Sequence, residues 1–530
     1  MLIEKNANMN LISNDDHNGS KRVSELKKQY GINHGNVLET WSYSDTVTSE
    51  VIKDYILFLE KNSKNLFVKE FNSNTLETRD LKVIKPYKRI TVLDNGKFYN
   101  KSWRIKENFD FEKFKEIYVD HDYGIITKIY KDLNSKGIAL IGAEFIVDNQ
   151  IVTAYGRNNS FQKAEADGLL ELVERHAMYF VKKNDRRISF DRTNNDEYIN
   201  PQNFLYYVEQ DSSQNRVPFD SKAIISWIEG ENYKTKAKVW LPKQFVDLSF
   251  QNEPYFTMAN SSGVAIGSSR YEARLYALLE LIERDAFLTY WQKNVKLREI
   301  RLQTLPKYIK NKIHDIDYNE TTIHLYDMTF DIKVPCVLAL IISNKGPVYQ
   351  YISTAIDPNP LAAISKAMNE CIVGFNIYQK NKEVKKRKYD NEYEVKTLFD
   401  HVCYSSKYKF RKNYVELLDK ENYDWWQLYP KNEIGYLSDF DNPKDLLDCI
   451  TEKFLANYSV YFVDLTDDLA ASLGLAVYKA IIPGFSTIRF GHIHRTIVPE
   501  RLDYAIDKSN YKNRTLLGKG DYVDRVHPYA

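Results

Sequence analysis

The fold of this chain is decided by the stretch SSGVAIGSSRYEARLYALLELIERDA at residues 261–286, where a glycine-punctuated loop runs into an amphipathic helix. At about 100° per residue, Glu283 lies about 20° and Glu280 about 80° around the axis from Glu272, so the three carboxylates fall within one quadrant. The apolar residues occupy a neighbouring face that we expect to be buried: Leu275, Leu278, Leu279, Ile282 and Ala286. The pattern predicts a stripe of acids beside the core.

A second copy of this helix occurs earlier in the chain. LLELVERHA at 169–177 and LLELIERDA at 278–286 agree at seven of nine positions, and each follows a loop of small residues. A single Glu-x-x-Glu-Arg segment is typical of a solvated helix face with weak ion pairs. A solvated face has no reason to repeat its apolar and charged positions together. The repeat therefore predicts a pseudo-symmetric site in which Glu171 and Glu174 face Glu272, Glu280 and Glu283.

Carboxylates that share one cleft repel one another at low effective dielectric unless cations lie between them. Hard oxygen ligands without a Cys or His cluster favour Mg²⁺, which keeps water ligands and is usually completed by phosphate oxygens. Arg175 and Arg284 lie beside the glutamates and suit the charge of a triphosphate. Because the chain contains no G-x-x-x-x-G-K-[ST] segment, these residues predict a nucleotide site without a P-loop.

Composition narrows the class of protein. The chain has 530 residues, 74 Lys and Arg against 72 Asp and Glu, and a net charge of +2, so no bulk charge favours nucleic acid or an anionic membrane. The longest apolar run, VPCVLALII at 334–342, is too short to cross a bilayer. The four cysteines of the chain include no C-x-x-C pair, so neither a zinc site nor a disulfide framework is predicted. We expect a cytoplasmic protein that binds no nucleic acid and no membrane.

Strand-like and helical segments alternate along most of the chain, which predicts an α+β fold of mixed α/β layers. Residues 1–35 are polar and aperiodic, and we expect a mobile N-terminal tail. Residues 36–112 are expected to form a small α+β module, 113–505 the main catalytic domain, and 506–530 a C-terminal tail.

Five segments in order resemble the YcaO family over about residues 115–505. DGLLELVER at 167–175 is similar to its signature Ser-x-x-x-Glu-x-x-Glu-Arg, with Asp167 in the serine place. NSSGVAIGSSRYEARLYALLELIERDA at 260–286 is similar to its second signature. Weaker resemblances are VDHDYGIIT at 119–127, DPNPLAAISKAMNEC at 357–371 and VDLTDDLAASLGLAVYKAIIPG at 463–484. The resemblance implies a YcaO-type fold whose ATP-binding catalytic domain spans 113–505.

The resemblance implies an azoline-forming cyclodehydratase of ribosomal peptide biosynthesis, as for thiazole/oxazole-modified microcins and thiopeptides. Members of this branch use ATP and Mg²⁺ to phosphorylate a backbone amide oxygen of a precursor peptide. A Cys, Ser or Thr side chain attacks the preceding carbonyl, ATP then phosphorylates the resulting oxyanion, and phosphate leaves to give a thiazoline or oxazoline. Phosphorylation turns a poor leaving group into a good one, and positioning with charge neutralisation would supply most of the rate.

The resemblance also implies roles for individual residues. Glu171, Glu174, Glu272, Glu280 and Glu283 would hold Mg²⁺ and the phosphates. The implied catalytic set is Glu171, Glu174, Glu280, Glu283 and Arg284. The implied cofactor contacts are Asp167, Arg175, Asn260, Ser268 and Glu272. Glu370 corresponds to an acid in the family's Ala-rich helix and carries a weaker claim.

Several alternatives stay open at these positions. Arg175 either neutralises phosphate charge or is only the i,i+4 partner of Glu171. Asn260 and Ser268 either touch the nucleotide or serve a turn or helix cap. His176 is either a base or a hydrogen-bonded structural residue, of which we favour the second.

This sequence departs from the family pattern at three places. Asp167 adds a negative charge where the family has serine. The 36–112 module is similar to a ThiF-like region but lacks its zinc-binding cysteines. The final segment DRVHPYA is similar to a shortened form of the family's proline-rich tail, and the carboxylate of Ala530 either accepts a proton or belongs to a frayed end.

The resemblance implies a precursor peptide, a separate leader-binding protein of the RRE or ThiF-like kind, a flavin-dependent azoline dehydrogenase and a second copy in a homodimer as partners. Two other functions stay open. One is a YcaO enzyme that forms backbone thioamides with an external sulfur source. The other is a non-catalytic, nucleotide-binding scaffold subunit of a peptide-modifying complex.

Overall fold

Four β-sheets and the helices between them make up the described part of the chain. The computed structural model describes residues 2–6, 9–13, 68–72, 78–81, 91–98, 110–119, 125–132, 139–147, 150–158, 160–181, 185–193, 197–204, 217–249, 253, 256–311, 313, 320–415, 421–515 and 517–529. The segment SEVIKDYILFLEKN at 49–62, whose apolar pattern predicts a helix, lies outside these ranges.

The first sheet combines strands from two parts of the N-terminal region. Its antiparallel order is β1 (Leu2–Asn6), β2 (Met9–Ser13), β3 (Val68–Asn72) and β4 (Thr78–Leu81). The segment NLFVKEFN at 65–72, whose composition predicts a strand, overlaps β3. Strands β1 and β2 lie within the range 1–35, and the division of the chain into four ranges stays a prediction.

The first helix repeat follows a three-stranded antiparallel sheet. After α1 (Phe111–Tyr118) come β5 (Lys128–Asp132), β6 (Ala139–Val147), β7 (Gln150–Asn158) and α2 (Phe161–Tyr179). Helix α2 packs on β6 and β7. A Cβ added at Gly156 in β7 would lie 1.8 Å from the carbonyl oxygen of Ala164 in α2. Glycine is required there because the strand and helix backbones touch.

The second helix repeat follows a strand of the largest sheet. The elements are β8 (Asp185–Ser189), β9 (Ile224–Asn232), β10 (Lys238–Pro242), β11 (Val264–Gly267) and α3 (Arg270–Lys293). Most of α3 is buried, including Phe287 and Trp291, as expected of the central helix of a core.

A five-stranded sheet follows, together with a third long helix. Its elements are β12 (Arg298–Ile300), α4 (Lys307–Lys310), β13 (Thr321–Asp327), β14 (Cys336–Ser343), β15 (Gln350–Ile356), α5 (Pro360–Lys380), α6 (Lys382–Lys386), α7 (Leu398–Ser405), α8 (Lys412–Val415), β16 (Asn422–Tyr423) and α9 (Trp425–Leu428). The strand order is β15-β14-β13-β12-β16, and only β12 and β16 are parallel. Strand β14 is buried at every position, in keeping with its apolar sequence.

The C-terminal part of the chain completes the largest sheet. Its elements are α10 (Pro443–Lys453), β17 (Tyr461–Asp464), α11 (Asp468–Ser472), β18 (Ala476–Ile481) and α12 (Pro499–Asp507). Strands β17 and β18 lie between β9 and β11, which gives the order β10-β9-β17-β18-β11, with β8 paired to β9.

Three strands share a topological position that shapes the site. β7, β11 and β15 each stand at the end of the strand order of their sheet, and each precedes a long helix: α2, α3 and α5. Helix α2 packs on β7 and reaches β11, while α3 packs on β11 and reaches β15. An edge strand presents N–H groups that no neighbouring strand accepts. Three such edges therefore meet the helices that carry the predicted glutamates.

The observed layers confirm the predicted α+β class of mixed layers. No helix among the described residues combines the length and apolarity needed to span a bilayer.

Candidate active site

The three long helices begin in the same way. Their N-caps are Ser160, Ser269 and Asn359, whose side chains each accept a backbone N–H from the first turn. A glutamate stands eleven positions after each cap: Glu171, Glu280 and Glu370. The sequence predicted two repeated helices, and the structure adds β15–α5 as a third unit with the same spacing.

The glutamates of α2 accept edge-strand N–H groups. Glu171 Oε2 accepts the N–H of Tyr155 in β7 at 3.2 Å. Glu174 Oε2 accepts the N–H of Ile266 in β11 at 3.0 Å. The two carboxylates of one helix thus cap the edges of two different sheets, which satisfies backbone groups that would otherwise lack a partner.

Helix α3 repeats this arrangement one sheet further on. Glu280 Oε2 accepts the N–H groups of Gly263 and Val264, at 3.0 and 3.1 Å, where β11 begins. Glu283 Oε2 accepts the N–H of Ile356 in β15 at 3.2 Å. In both helices the first glutamate binds the strand before its own helix, and the second binds the strand before the next helix.

The other carboxylate oxygens meet arginines of the same motif. Arg175 donates through Nε and Nη2 to Glu171 Oε1, at 3.1 and 2.7 Å. This is the i,i+4 ion pair that sequence analysis left open. Arg284 donates to Glu280 Oε1 and to Glu283 Oε1, each at 2.8 Å, and so bridges both glutamates of its motif.

The glutamates of α2 and α3 lie close enough to form one acidic cluster. Burial raises the pKa of Glu174 well above its usual range, and the neighbouring charges of Glu280 and Glu171 raise it further. Burial also raises the pKa of Glu280, while Arg284 opposes the shift and Glu283 adds to it. These carboxylates lie close enough to disfavour one another's ionised forms, and a bound cation would relieve that repulsion.

The third unit contributes one carboxylate to the same region. Glu370 Oε2 accepts from Ser353 Oγ in β15 at 3.2 Å. The carboxylate of Glu370 lies among the charges of Arg157, Glu283 and Arg284. The position four residues later is Gly374, and a Cβ there would lie 2.2 Å from the hydroxyl of Tyr351. Unit three therefore supplies a carboxylate without the helix arginine of the other two units.

Glu272 lies apart from the other four glutamates assigned to the metal. It is 1% exposed, and its carboxylate accepts from Ser268 Oγ at 2.6 Å. Eight residues of helix separate it from Glu280, about 12 Å along the axis. Ser268 holds Glu272, while the neighbouring Ser269 is the helix cap.

Asn260 and Asp167 each make hydrogen bonds to polar groups of this chain. Asn260 Oδ1 accepts the N–H of Ser262 at 3.0 Å, and its Nδ2 donates to Thr487 Oγ1 at 3.3 Å, so its side chain stabilises the turn before β11. Asp167 is exposed and accepts from Asn158 Nδ2 at 2.9 Å.

His176 is a hydrogen-bonded structural residue. Its Nδ1 lies 2.6 Å from Asp467 Oδ2, and its ring stacks on Phe180 with centroids 4.2 Å apart. This contact joins α2 to α11 and leaves the ring buried, which agrees with the alternative favoured from the sequence.

The C-terminal segment reaches the site through Tyr529, a residue that sequence analysis did not single out. Tyr529 donates from its hydroxyl to Glu283 Oε1 at 2.9 Å, and Thr354 Oγ1 donates to the same oxygen at 2.6 Å. His527 is buried and stacks on His401 with centroids 4.0 Å apart. The range predicted as a tail, 506–530, thus contains a packed segment, and Ala530 lies outside the described residues. The resemblance of DRVHPYA to the family's tail indicated this segment but not its contacts, because its partners lie far away along the chain.

Lys479 is a second residue that sequence analysis missed. Its Nζ donates to the carbonyl oxygens of Asn260 at 2.6 Å and Ser262 at 3.1 Å. Burial lowers its pKa to about 7. The available signal was a lone lysine inside the apolar strand AVYKAII.

The donor set suits Mg²⁺ bound with a nucleotide. Within the described ranges, no three acidic, histidine or cysteine groups converge closely enough to hold a metal alone. Mg²⁺ needs few protein ligands, because water and phosphate oxygens usually complete its octahedron. Glu171, Glu174, Glu280 and Glu283 offer hard oxygens, and Arg284 lies between the last two. The residues present fit such a group.

The fold is of the α+β class, with three sheet edges that meet a cluster of carboxylates. The chain belongs to the YcaO family, since the family model described as YcaO cyclodehydratase, ATP- and Mg²⁺-binding, matches residues 155–486. An uncharacterised protein from the tfuA 3′ region of Rhizobium leguminosarum bv. trifolii is 33% identical over 129 residues. That match spans 23% of this chain and 30% of the relative.

Solved structures share the fold at low identity. A heterocyclase in complex with substrate and cofactor superposes with a TM-score of 0.66 at 17% identity, covering 99% of this chain and 77% of that one. The heterocyclase TruD gives 0.57 at 16% identity, covering 95% and 69%. YcaO from Methanopyrus kandleri, bound with AMPPCP and Mg²⁺, gives 0.51 at 15% identity, covering 68% and 86%.

The family assignment confirms the predicted family and its cofactors, ATP and Mg²⁺. The activity of this chain stays a proposal, because the match to the curated relative covers 30% of that protein. The roles of individual site residues stay predictions.

Proposed function

We propose that this protein is an ATP- and Mg²⁺-dependent cyclodehydratase that converts Cys, or Ser and Thr, of a ribosomal precursor peptide to thiazoline or oxazoline. The observation that carries the proposal is the meeting of Glu171, Glu174, Glu280 and Glu283 at adjoining sheet edges, with Arg284 bridging the last two. Membership of the YcaO family supports the reaction class.

The edge-strand N–H groups orient the carboxylates. An oxygen that accepts a backbone N–H is fixed in direction, so the remaining lone pairs of the same carboxylate point to a defined place. Glu171, Glu174, Glu280 and Glu283 would hold Mg²⁺ with the phosphates of ATP, which supplies the phosphoryl group that turns an amide oxygen into a leaving group. Arg284 would neutralise negative charge that develops during the reaction.

The side chains of the acidic cluster differ in their exposure to solvent. The side chains of Glu171 and Arg175 are 34% and 42% exposed, and Glu370 is exposed as well. Glu283 and Arg284 are 11% and 19% exposed. The peptide would therefore enter between the β7–α2 unit and the β15–α5 unit, and the phosphates would lie toward α3.

Partners complete the proposal. A precursor peptide is the substrate, a separate leader-binding protein delivers it, and a flavin-dependent dehydrogenase oxidises the azoline product. We expect the enzyme to act as a homodimer. These partners rest on the family resemblance.

High-resolution mass measurement of the precursor peptide tests the reaction. The peptide is incubated with this protein, its leader-binding partner, ATP and Mg²⁺. We expect stepwise losses of one water, each matched by release of ADP. The control variant is Glu299→Gln, because Glu299 is also partly buried, pairs with His324 at 2.8 Å and lies in β12, three strands away from the edge strand β15.

Three other results would overturn the proposal. A sulfur-for-oxygen exchange would assign the protein to the thioamide-forming branch. An unchanged peptide despite nucleotide binding would support a scaffold role. Full product formation by Glu283→Gln would show that the acidic cluster does not carry the chemistry.

A further inference from the structure

Lys479 lies inside the apolar strand β18, and the proposed reaction assigns no step to it. The residue is 4% exposed, and the register of the sheet places it opposite Val264 of β11. Its amino group donates to the carbonyl oxygens of Asn260 and Ser262. A buried lysine is costly to desolvate, so this position calls for an explanation.

One peptide group connects Lys479 to the acidic cluster. The carbonyl oxygen of the Ser262–Gly263 peptide accepts from Lys479 Nζ at 3.1 Å. The N–H of the same peptide donates to Glu280 Oε2 at 3.0 Å. A trans peptide directs its carbonyl and its N–H to opposite sides. Lys479 and Glu280 therefore hold this peptide group from both sides.

The loop has little freedom to adopt another arrangement. Gly263 has a φ of +76°, and a Cβ at this position would lie 2.8 Å from the carbonyl oxygen of Ala480. The next N–H, of Val264, donates to the same Glu280 oxygen at 3.1 Å. Glycine permits the left-handed conformation, and the lysine fixes the direction of the peptide plane.

We propose that Lys479 is a positioning residue that orients Glu280 through the Ser262–Gly263 peptide group. With Oε2 held by two N–H groups, Glu280 Oε1 is directed toward Arg284, where the metal and phosphates would lie. The consequence for nucleotide binding rests on the proposed function. The first unit has no such lysine, because the residue opposite Tyr155 of β7 is Gly142.

Lys479→Met tests this inference with two measurements. The first is hydrogen exchange of the amides at 258–266 in the free protein. The second is the calorimetric affinity for Mg²⁺ with a non-hydrolysable ATP analogue. The matched control is Lys234→Met, because Lys234 also donates to two backbone carbonyls, those of Leu455 and Ala456, each at 2.6 Å.

We expect Lys479→Met to speed exchange at Gly263 and Val264 and to weaken nucleotide binding, each about tenfold, because two buried carbonyls lose their donor. Lys234→Met should change neither quantity. Lys479→Arg keeps donors for both carbonyls and should restore binding to within about threefold of the wild type. If Lys479→Met does not fold, Lys479→Gln replaces it as the variant with a weaker donor.

A double variant separates positioning from independent action. In a Glu280→Gln background, Lys479→Met should have little further effect on the affinity, since its effect passes through Glu280. If the losses of affinity in the two single variants multiply in the double variant, the inference is wrong. It is also wrong if Lys479→Met leaves amide exchange at 258–266 unchanged, or leaves the affinity unchanged while the wild type binds the analogue. A wild type that does not bind the analogue would instead overturn the proposed function.

Discussion

In the first unit, β7–α2, the side chains of Glu171 and Arg175 are 34% and 42% exposed, whereas in the second, β11–α3, Glu280 and Arg284 are 25% and 19% exposed. The same separation of 109 positions relates Glu171 to Glu280, Arg175 to Arg284 and cap Ser160 to cap Ser269. The local pattern is shared, but the surroundings differ. Helix α3 of unit two packs on β18, α10 and α12, whereas the side chains of unit one are more exposed.

The two units also differ at the eighth residue of the repeated motifs LLELVERHA and LLELIERDA. In unit one it is His176, which contacts Asp467. In unit two it is Asp285, which binds Arg501 at 2.9 and 2.6 Å, and Arg501 also binds Asp331. Both residues tie their helix to the C-terminal part of the chain. The contact in unit two is a buried network of three charges. Removing it is therefore expected to lower the free energy of unfolding by a different amount from removing the contact of His176.

The largest effect is expected from Arg501→Met. This change leaves Asp285 and Asp331 buried without their cation, and it should lower the free energy of unfolding by about 3–5 kcal/mol. His176→Ala in unit one should cost about 1–3 kcal/mol. Urea unfolding of both variants makes the comparison, and equal losses would show that the two ties are equivalent.

The next largest effect concerns catalysis. Glu283 accepts from Arg284, Thr354, Ile356 and Tyr529, so Glu283→Gln should lower the rate of product formation about 100-fold. The more exposed Glu171→Gln should lower it about tenfold. Initial rates at saturating ATP measure both, with Glu299→Gln as the reference. A larger loss in Glu171→Gln would place the phosphates at unit one instead.

Lys479 gives unit two a pH dependence that unit one lacks. Burial holds its folded-state pKa at about 7, below the usual 10.5. Between these values the unfolded chain carries the extra proton, so stability falls as pH decreases from about 10 to about 7, by up to about 1.4 kcal/mol per pH unit. Urea unfolding at several pH values checks this, and Lys479→Met should remove the slope. An unchanged slope in the variant would assign it to another group.

The smallest effect is expected from Tyr529→Phe. Loss of the hydroxyl removes one hydrogen bond to Glu283, worth about 1 kcal/mol, and product formation should fall about fivefold. A loss as large as that of Glu283→Gln would mean that the hydroxyl itself takes part in the reaction. An unchanged rate would mean that the C-terminal segment does not orient Glu283.

The helices and their repeat could be predicted because their signals are local. Apolar periodicity gave α2 and α3, and the matching motifs gave their relation. The third unit escaped notice because α5 carries Val373, which is 2% exposed, where the other helices carry a second glutamate. Its cap and Glu370 keep the spacing of the other units, so the signal was present but incomplete.

The contacts that shape the site could not be predicted, because they depend on sheet order. Nothing near Glu174 in sequence indicates that it reaches Ile266 in β11, and nothing near Glu283 indicates Ile356 in β15. Tyr529 and Lys479 reach the site from more than 190 residues away along the chain, as their partners Glu283 and Glu280 show. Such pairings follow from topology, which periodicity does not determine.

The use of the glutamates as edge caps bears on how inactive descendants of such an enzyme would be recognised. A descendant that abandons the chemistry still has to supply acceptors to the N–H groups of Tyr155, Ile266 and Ile356, because bare edges invite aggregation. Glutamine offers an acceptor oxygen but binds Mg²⁺ poorly. Evolutionary decay in this fold should therefore appear as a drift from glutamate to glutamine, with the helices left intact.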